Sequence, residues 1–295
     1  MKSLERLLEI SNPRGLIVVG NFVYVLARTS GAISRFDLMG KDLTVERFWR
    51  GDDAYVGGSG PFVGPAYHGP TRTLWVSALG RDLAGVPPRA PSALYAIPLD
   101  RTPNSIRPIF TPRSESERTF FDGPAGLVSL GKNGIAVSSF WGKRKLLFGE
   151  DGHLERVLLD LSAAQPKYGG PDGLATDASG RLCVCDRTRR SLWVLDGLAS
   201  DKPAREIYTR LPLEPIAASF DEDGSLLVIE KVDATINRFV LADGEVRPGD
   251  PTIARGATGQ QGKGIVTVSW RGKRLILVAV GKDGPQPDDG IYRVK

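Results

Sequence analysis

The sequence predicts an all-β chain folded as a six-bladed β-propeller. Three observations predict it. First, a unit of short apolar runs separated by turn residues recurs along the chain at a period of about 40–50 residues, clearest in 169–196, GGPDGLATDASGRLCVCDRTRRSLWVLD. Second, 35 Gly and 21 Pro are spread through the 295 residues, which supplies many tight turns and no low-complexity tail. Third, the last unit ends with the chain after only three strands, while residues 6–10 near the N-terminus form a short apolar run that can supply the fourth. Closing the ring in this way removes the exposed gap between first and last blades.

Taken in order, the first unit offers strands at 16–19, 22–26 and 33–36, with Gly-Asn and Ser-Gly turns between them, and a fourth at 44–49. The second offers 65–67, 74–78 and 93–97. The loop 80–91 between the last two carries Pro87, Pro88 and Pro91 and reads as extended. The polar stretch 101–118 holds at most an outer strand at 106–110. The apolar alternation of 98–116 is too sparse for a seventh blade. The third unit spans 122–149, the fourth is the 169–196 stretch, the fifth spans 215–239 and the sixth 264–294. Gly15, Ala66, Gly126, Gly173, Ala217 and Gly264 take one repeated place. A blade buries a strand face only against its neighbours, so the six units read as a single domain, 1–295.

Hydrophobic residues make up 41% and charged residues 25%, enough for a core. The net charge is +5 and scattered, without the clustered basic face of a nucleic-acid binder. Cys183 and Cys185 sit two apart on one strand, share a face and cannot easily bridge each other. They read as small core residues. The opening MKSLERLLEI lacks a signal-peptide segment, and no run approaches the ~18 apolar residues of a membrane span. A cytoplasmic protein without a membrane partner is expected.

In a propeller, the residues that start each inner strand and the loops between second and third strands line the channel mouth, where ligands bind. Aligning the units predicts Arg14, Gly64, Ala125, Asp172, Ile216 and Lys263 at the strand entries, with Asn12, Asp122, Tyr168, Glu214 and Gln261 beside them. The loops add Arg28, Phe140, Trp141, Arg187, Lys231, Asp233 and Lys282. Asp172 alone among the entries is acidic. It can bind a cation, act as a general base or cap its own turn. Glu214 and Asp122 are candidate catalytic partners for it, and Lys263 can neutralise one of them or orient an anion. Arg14, His68, Tyr168, Trp141, Asp186 and Glu230 are candidate substrate contacts. Asp186 and Glu230, at matching strand ends, can equally hold their own loops, and His68 can equally be a satisfied core residue. No Ser-His-Asp order, nucleotide-binding loop or metal pair is present in the pattern.

The run PDGLATDASGRLCVCD…LWVLD resembles the senescence-marker-protein/gluconolactonase family and the wider group of NHL-repeat propellers. The resemblance implies a hydrolase of sugar lactones and related esters that uses one divalent cation, such as calcium, in its channel. It implies metal ligands at three places. Asp172 matches one. Ser11-Asn12-Pro13 stands where a Glu is expected, Ala125 where an Asn is expected, and Gly64-Pro65 where a substrate-positioning Asn-Asp pair is expected. The expectation is therefore a lactonase- or esterase-like hydrolase of a small molecule with a degenerate metal site. The alternatives are a non-catalytic propeller that binds a metabolite or a protein, and a metal-free cyclase or isomerase.

Overall fold

The computed structural model describes residues 2–27, 31–40, 42–49, 62–80, 92–100, 108–163, 170–197, 205–208, 211, 214–242, 245–248, 252–270, 273–281 and 287–295. Tyr168, Arg28, Lys282, most of the 80–91 loop and residue 106 lie outside these. β1 (Lys2–Glu9) comes first. β2 (Pro13–Val19), β3 (Phe22–Ala27), β4 (Ile33–Asp37) and β5 (Glu46–Trp49) form one antiparallel meander, and β6 (Phe62–His68), β7 (Thr73–Ala78), β8 (Ala93–Pro98) and β9 (Pro108–Phe110) form the next. After α1 (Glu115–Phe120) follow β10 (Pro124–Ser129), β11 (Ile135–Ser139), β12 (Arg144–Phe148) and β13 (Leu154–Asp160). The fourth meander is β14 (Pro171–Thr176), β15 (Leu182–Asp186), β16 (Ser191–Leu195) and β17 (Arg205–Tyr208).

The remaining strands are β18 (Pro215–Phe220), β19 (Leu226–Glu230), β20 (Ile236–Ala242), β21 (Glu245–Pro248), β22 (Ala254–Arg255), β23 (Gly262–Trp270), β24 (Lys273–Val280) and β25 (Gly290–Val294). They do not split into two separate sheets as the sequence reading expects. With β1 they form one nine-stranded sheet, so the assembly is a propeller-like array of four four-stranded sheets and one larger one. The cause is β1. It pairs antiparallel with β25, from Leu4 opposite Val294 to Glu9 opposite Gly290, and Lys2 and Ser3 also run parallel beside Ala254 and Arg255 of β22. β22 in turn meets β20 through Ile236. The closing strand expected at residues 6–10 therefore begins earlier, and Ile10 is buried next to Leu16 instead.

The innermost strands touch in the cyclic order β2, β6, β10, β14, β18, β23 and back to β2. Buried hydrophobics fall between successive units. Tyr24, Leu26 and Ile33 pack with Phe62, Leu74 and Val76; Cys183 and Cys185 pack with Ala218, Leu226 and Val228. Such interdigitated faces are what alternating strands offer to a neighbouring blade. Both cysteines are free and fully buried there, and burial pushes the Cys183 thiol up to about 12.

α1 is not expected from the sequence, where 101–118 reads as a polar, Pro-bearing stretch with at most an outer strand at 106–110. Its signal is the capping box, with Ser114 accepting from the Glu117 amide and the Glu117 side chain accepting from the Ser114 amide. Among the described residues no helix is long and apolar enough to cross a membrane.

Candidate functional site

Every inner strand has the same irregularity. Its first residue pairs with the last residue of the next strand (Pro13–Ala27, Phe62–Ala78, Pro124–Ser139, Pro171–Asp186, Pro215–Glu230, Gly262–Val280), and then the register slips. Such a bulge re-aims the residue after the first. That residue is Arg14, Val63, Ala125, Asp172, Ile216 and Lys263 in turn, and all of them line one cavity of about 250 Å³. The second unit is thus offset from the sequence alignment, by one residue at the entry and by two at the glycine place. Val63 takes the entry place assigned to Gly64, and Gly64 takes the place assigned to Ala66. A Cβ on Gly64 would run into the Ala125 carbonyl oxygen, just as one on Gly126 would run into that of Asp172. The repeated glycine is there so that neighbouring inner strands can approach. The apolar run around Val63 carries no polar marker from which the offset could be read.

Phe140, Trp141, Arg187 and Lys231 complete the mouth. Asp172 is the one acidic side chain among the described residues lining the cavity, and it is 22% exposed. Burial pushes its carboxyl above the usual range, against the pull of Arg187, Arg14, Lys145 and Lys263. Arg187 NH1 lies 3.8 Å from Asp172 Oδ2, its Nε donates to Glu214 Oε2 at 2.8 Å, and its guanidinium sits 5.5 Å from the Phe140 ring centroid. Lys231 Nζ is 3.6 Å from the same Glu214 oxygen. Burial raises Glu214, but Arg187 and Lys231 together hold it below the usual carboxylate range. Glu214 thus anchors two cations at the rim. Lys263, nearly buried, donates to Gln261 Oε1 at 2.8 Å.

Other predicted residues lie elsewhere. Asp122 is not in the cavity wall. Its carbonyl oxygen accepts from the Trp141 and Gly142 amides. Trp141 stacks over Gly123, whose φ of +62° and missing Cβ leave room for the indole. Asp186 is fully buried, and Oδ1 accepts from the Thr188 and Arg189 amides at 3.1 Å. Glu230 is fully buried, with Oε1 accepting from Asn237 Nδ2 at 2.6 Å. His68 is fully buried at the far end of β6, between Thr71 Oγ1 at 2.8 Å and the Gly131 carbonyl at 3.0 Å. These three hold loops or core, not the channel. Asn12 is buried with φ +46°, its amide bonded to Asp289 Oδ2. Phe140, Arg187 and Lys231, expected from the sequence only as loop positions, form much of the mouth.

A divalent cation does not fit here. Calcium takes six or more oxygens. Around Asp172 stand Arg14, Arg187 and Lys263, and the neighbouring entries Ala125 and Ile216 bring no side-chain oxygen. Among the described residues no three His, Cys, Asp or Glu side chains gather to hold a metal.

No family model matches the sequence, and no curated protein sequence does. Solved structures do match. A protein assigned as a gluconolactonase superposes with a TM-score of 0.68 at 12% identity, over 100% of this chain and 92% of that one. Regucalcin from Agrobacterium tumefaciens, described as calcium-binding, gives 0.67 at 9%, over 99% and 94%. A catalytically inactive histidine-to-alanine variant of virginiamycin B lyase from Staphylococcus aureus, solved with quinupristin, gives 0.62 at 12%, over 99% and 98%. At these identities the likeness is one of fold, and the fold is a β-propeller.

Proposed function

We propose that the chain is a single-domain, six-bladed propeller hydrolase that opens a small lactone or ester in its channel without a bound metal. Six follows from counting β18–β21 and β23–β25 with β1 as separate blades. The observation that carries the reading is Asp172, a lone cavity carboxylate raised by burial and ringed by cations. A raised carboxylate is a competent general base near neutral pH. In this reading Asp172 takes a proton from water as the water oxygen bonds to the acyl carbon. The carbonyl oxygen becomes an oxyanion facing Lys263 and Arg14, whose positive charge stabilises it in a partly desolvated site. Collapse breaks the acyl–oxygen bond, and the protonated Asp172 returns its proton to the departing alkoxide. The aromatic pair Phe140 and Trp141, with ring centroids 6.0 Å apart, forms an apolar wall for the ligand. The two buried free thiols suit the reducing cytoplasm.

Assay of a lactone and ester panel tests this. Asp172→Asn is expected to abolish turnover with little change in melting temperature, and a chelator is expected to leave the wild type active. Full activity in Asp172→Asn would sink the proposal. Binding without turnover by the wild type would favour the non-catalytic propeller, for which the cationic rim held by Glu214 speaks. A lyase like the virginiamycin enzyme is disfavoured, since that enzyme is inactive without its histidine. Here His68 lies outside the cavity and His153 is exposed on a turn.

A further inference from the structure

Lys145 breaks the repeat. It sits on β12 opposite Ser138 of β11. The same place in the other units is Ile33 opposite Leu26, Leu94 opposite Ser77, Leu192 opposite Cys185, Ile236 opposite Ile229, and Ile291 opposite Ala279. Each of these five is a large aliphatic residue with no exposed surface. Lys145 is equally buried, and its Nζ has no hydrogen-bond partner. Burying an unpaired amine where five sister positions carry hydrocarbon is costly, and packing alone gives no reason for it.

The position shows what the amine faces. Residues directly opposite in an antiparallel pair share a face, so Lys145 shares that of Ser138. The next residue pair on that face is Ala136 with Leu147, and Ala136 packs with Leu174 and Val184 of the following unit. Ser138 Oγ donates to the backbone carbonyl oxygen of Asp172 and to that of Gly126 at 3.1 Å. The amine therefore stands inside the wall, behind the cavity carboxylate. Burial pushes it down to about 7, and the carboxylates pulling the other way are Asp172 first and then Asp186, beside the thiols of Cys185 and Cys183. Asp186 is already occupied by two backbone amides.

We propose that Lys145 is the positioning residue of Asp172. It supplies a counter-charge from the protein side, which favours the ionised carboxylate and holds one of its oxygens against the wall. The proposal rests on Asp172 being the working group of the channel, as in the hydrolase reading.

A double-mutant cycle tests it, with wild type, Lys145→Leu, Asp172→Asn and the double variant compared at pH 6, below the value of about 7 to which burial pushes the amine, so that it carries its charge. Lys145→Leu restores the residue of two sister units and is expected to raise the melting temperature while lowering turnover of any panel substrate by about tenfold or more. In the Asp172→Asn background it is expected to cause no further loss of turnover. Its gain in melting temperature there is expected to be larger by about 2 °C or more, because the remaining amine has lost its counter-charge. Equal melting shifts in the two backgrounds, or wild-type turnover in Lys145→Leu, would overturn the proposal. Should Lys145→Leu not fold, Lys145→Met provides the same cycle. The melting arm needs no substrate. If the wild type turns nothing over, the hydrolase reading fails, while the coupling of Lys145 to Asp172 is still decided.

Discussion

Replacing Glu230 by Gln is expected to change stability with opposite signs on the two sides of neutral pH. Glu230 ends β19 with no exposed surface; Oε1 is bonded to Asn237 and Oε2 has no hydrogen-bond partner. Burial pushes its carboxyl from 4.5 up to about 7, with Asn237 and Arg190 pulling weakly the other way. Between those two values the folded protein holds a proton that the unfolded chain has released. Stability therefore falls as pH rises through the window, and the whole cost is present above about pH 7. At 1.36 kcal/mol per pH unit that cost is about 3 kcal/mol. Glutamine keeps the acceptor for Asn237 and carries no charge, but its amide nitrogen takes the unpartnered place at a cost of about 1–2 kcal/mol. The variant should thus be more stable than wild type by about 1–2 kcal/mol at pH 8 and less stable by a similar amount near pH 4.5. Guanidinium titrations at both pH values, read as midpoint shifts at constant slope, measure the difference. An unchanged ΔΔG between the two, or destabilisation at pH 8, would show that the ionised carboxylate is well solvated or firmly paired.

Four further outcomes follow from the same geometry. Ser138→Ala removes the hydroxyl that ties β10 to β14 and should cost about 2 kcal/mol by denaturant melting. Gly126→Ala drives a methyl group into the Asp172 carbonyl and should cost more than about 2 kcal/mol, with distortion at the channel seen as weakened ligand binding. Deleting residues 2–9 strips β25 of one of its two partners and uncovers an edge, so the protein should melt earlier and aggregate; an unchanged melting curve would refute the closure by β1. Because Asp172 titrates above an ordinary aspartate, kcat/KM of the wild type should fall as pH drops through that raised value, and a profile without an acid limb above the ordinary aspartate range would refute Asp172 as the base.

The architecture was legible because its signal is periodic. Alternating apolar runs and Gly-containing turns recur along the chain, so the misplaced entry residue of the second unit, Gly64 for Val63, left the fold reading intact. The closing strand was legible for the same reason, through the fourth strand missing from the last unit. α1 was missed although Ser114 and Glu117 spell its cap, since six residues between prolines give no helical periodicity. The fusion of the last units into one sheet turns on the two-residue strand Ala254–Arg255, too short to carry a pattern. The candidate site was legible only where the backbone dictates it. The bulge places Arg14, Asp172 and Lys263 in the cavity whatever their chemistry. Asp186, Glu230 and His68 were weaker candidates in sequence, each with a structural alternative, because a side chain at a strand end can turn to its own loop or to the channel, and only packing decides.

The repeat also acts as an internal control on which polar residues the scaffold demands. Ser77 and Ser138 do one job at one place, each bridging its inner strand to the carbonyl of the next, and Cys185 fills that place in the fourth unit. These are structural. Asp172 and Lys145 have no counterpart at their places in any other unit, and both belong to the wall between β10–β13 and β14–β17. Two unmatched charges of opposite sign in one interface, one facing the cavity and one sealed behind it, are unlikely products of packing, because the other five interfaces close without them. That wall is therefore where substitutions should separate function from stability.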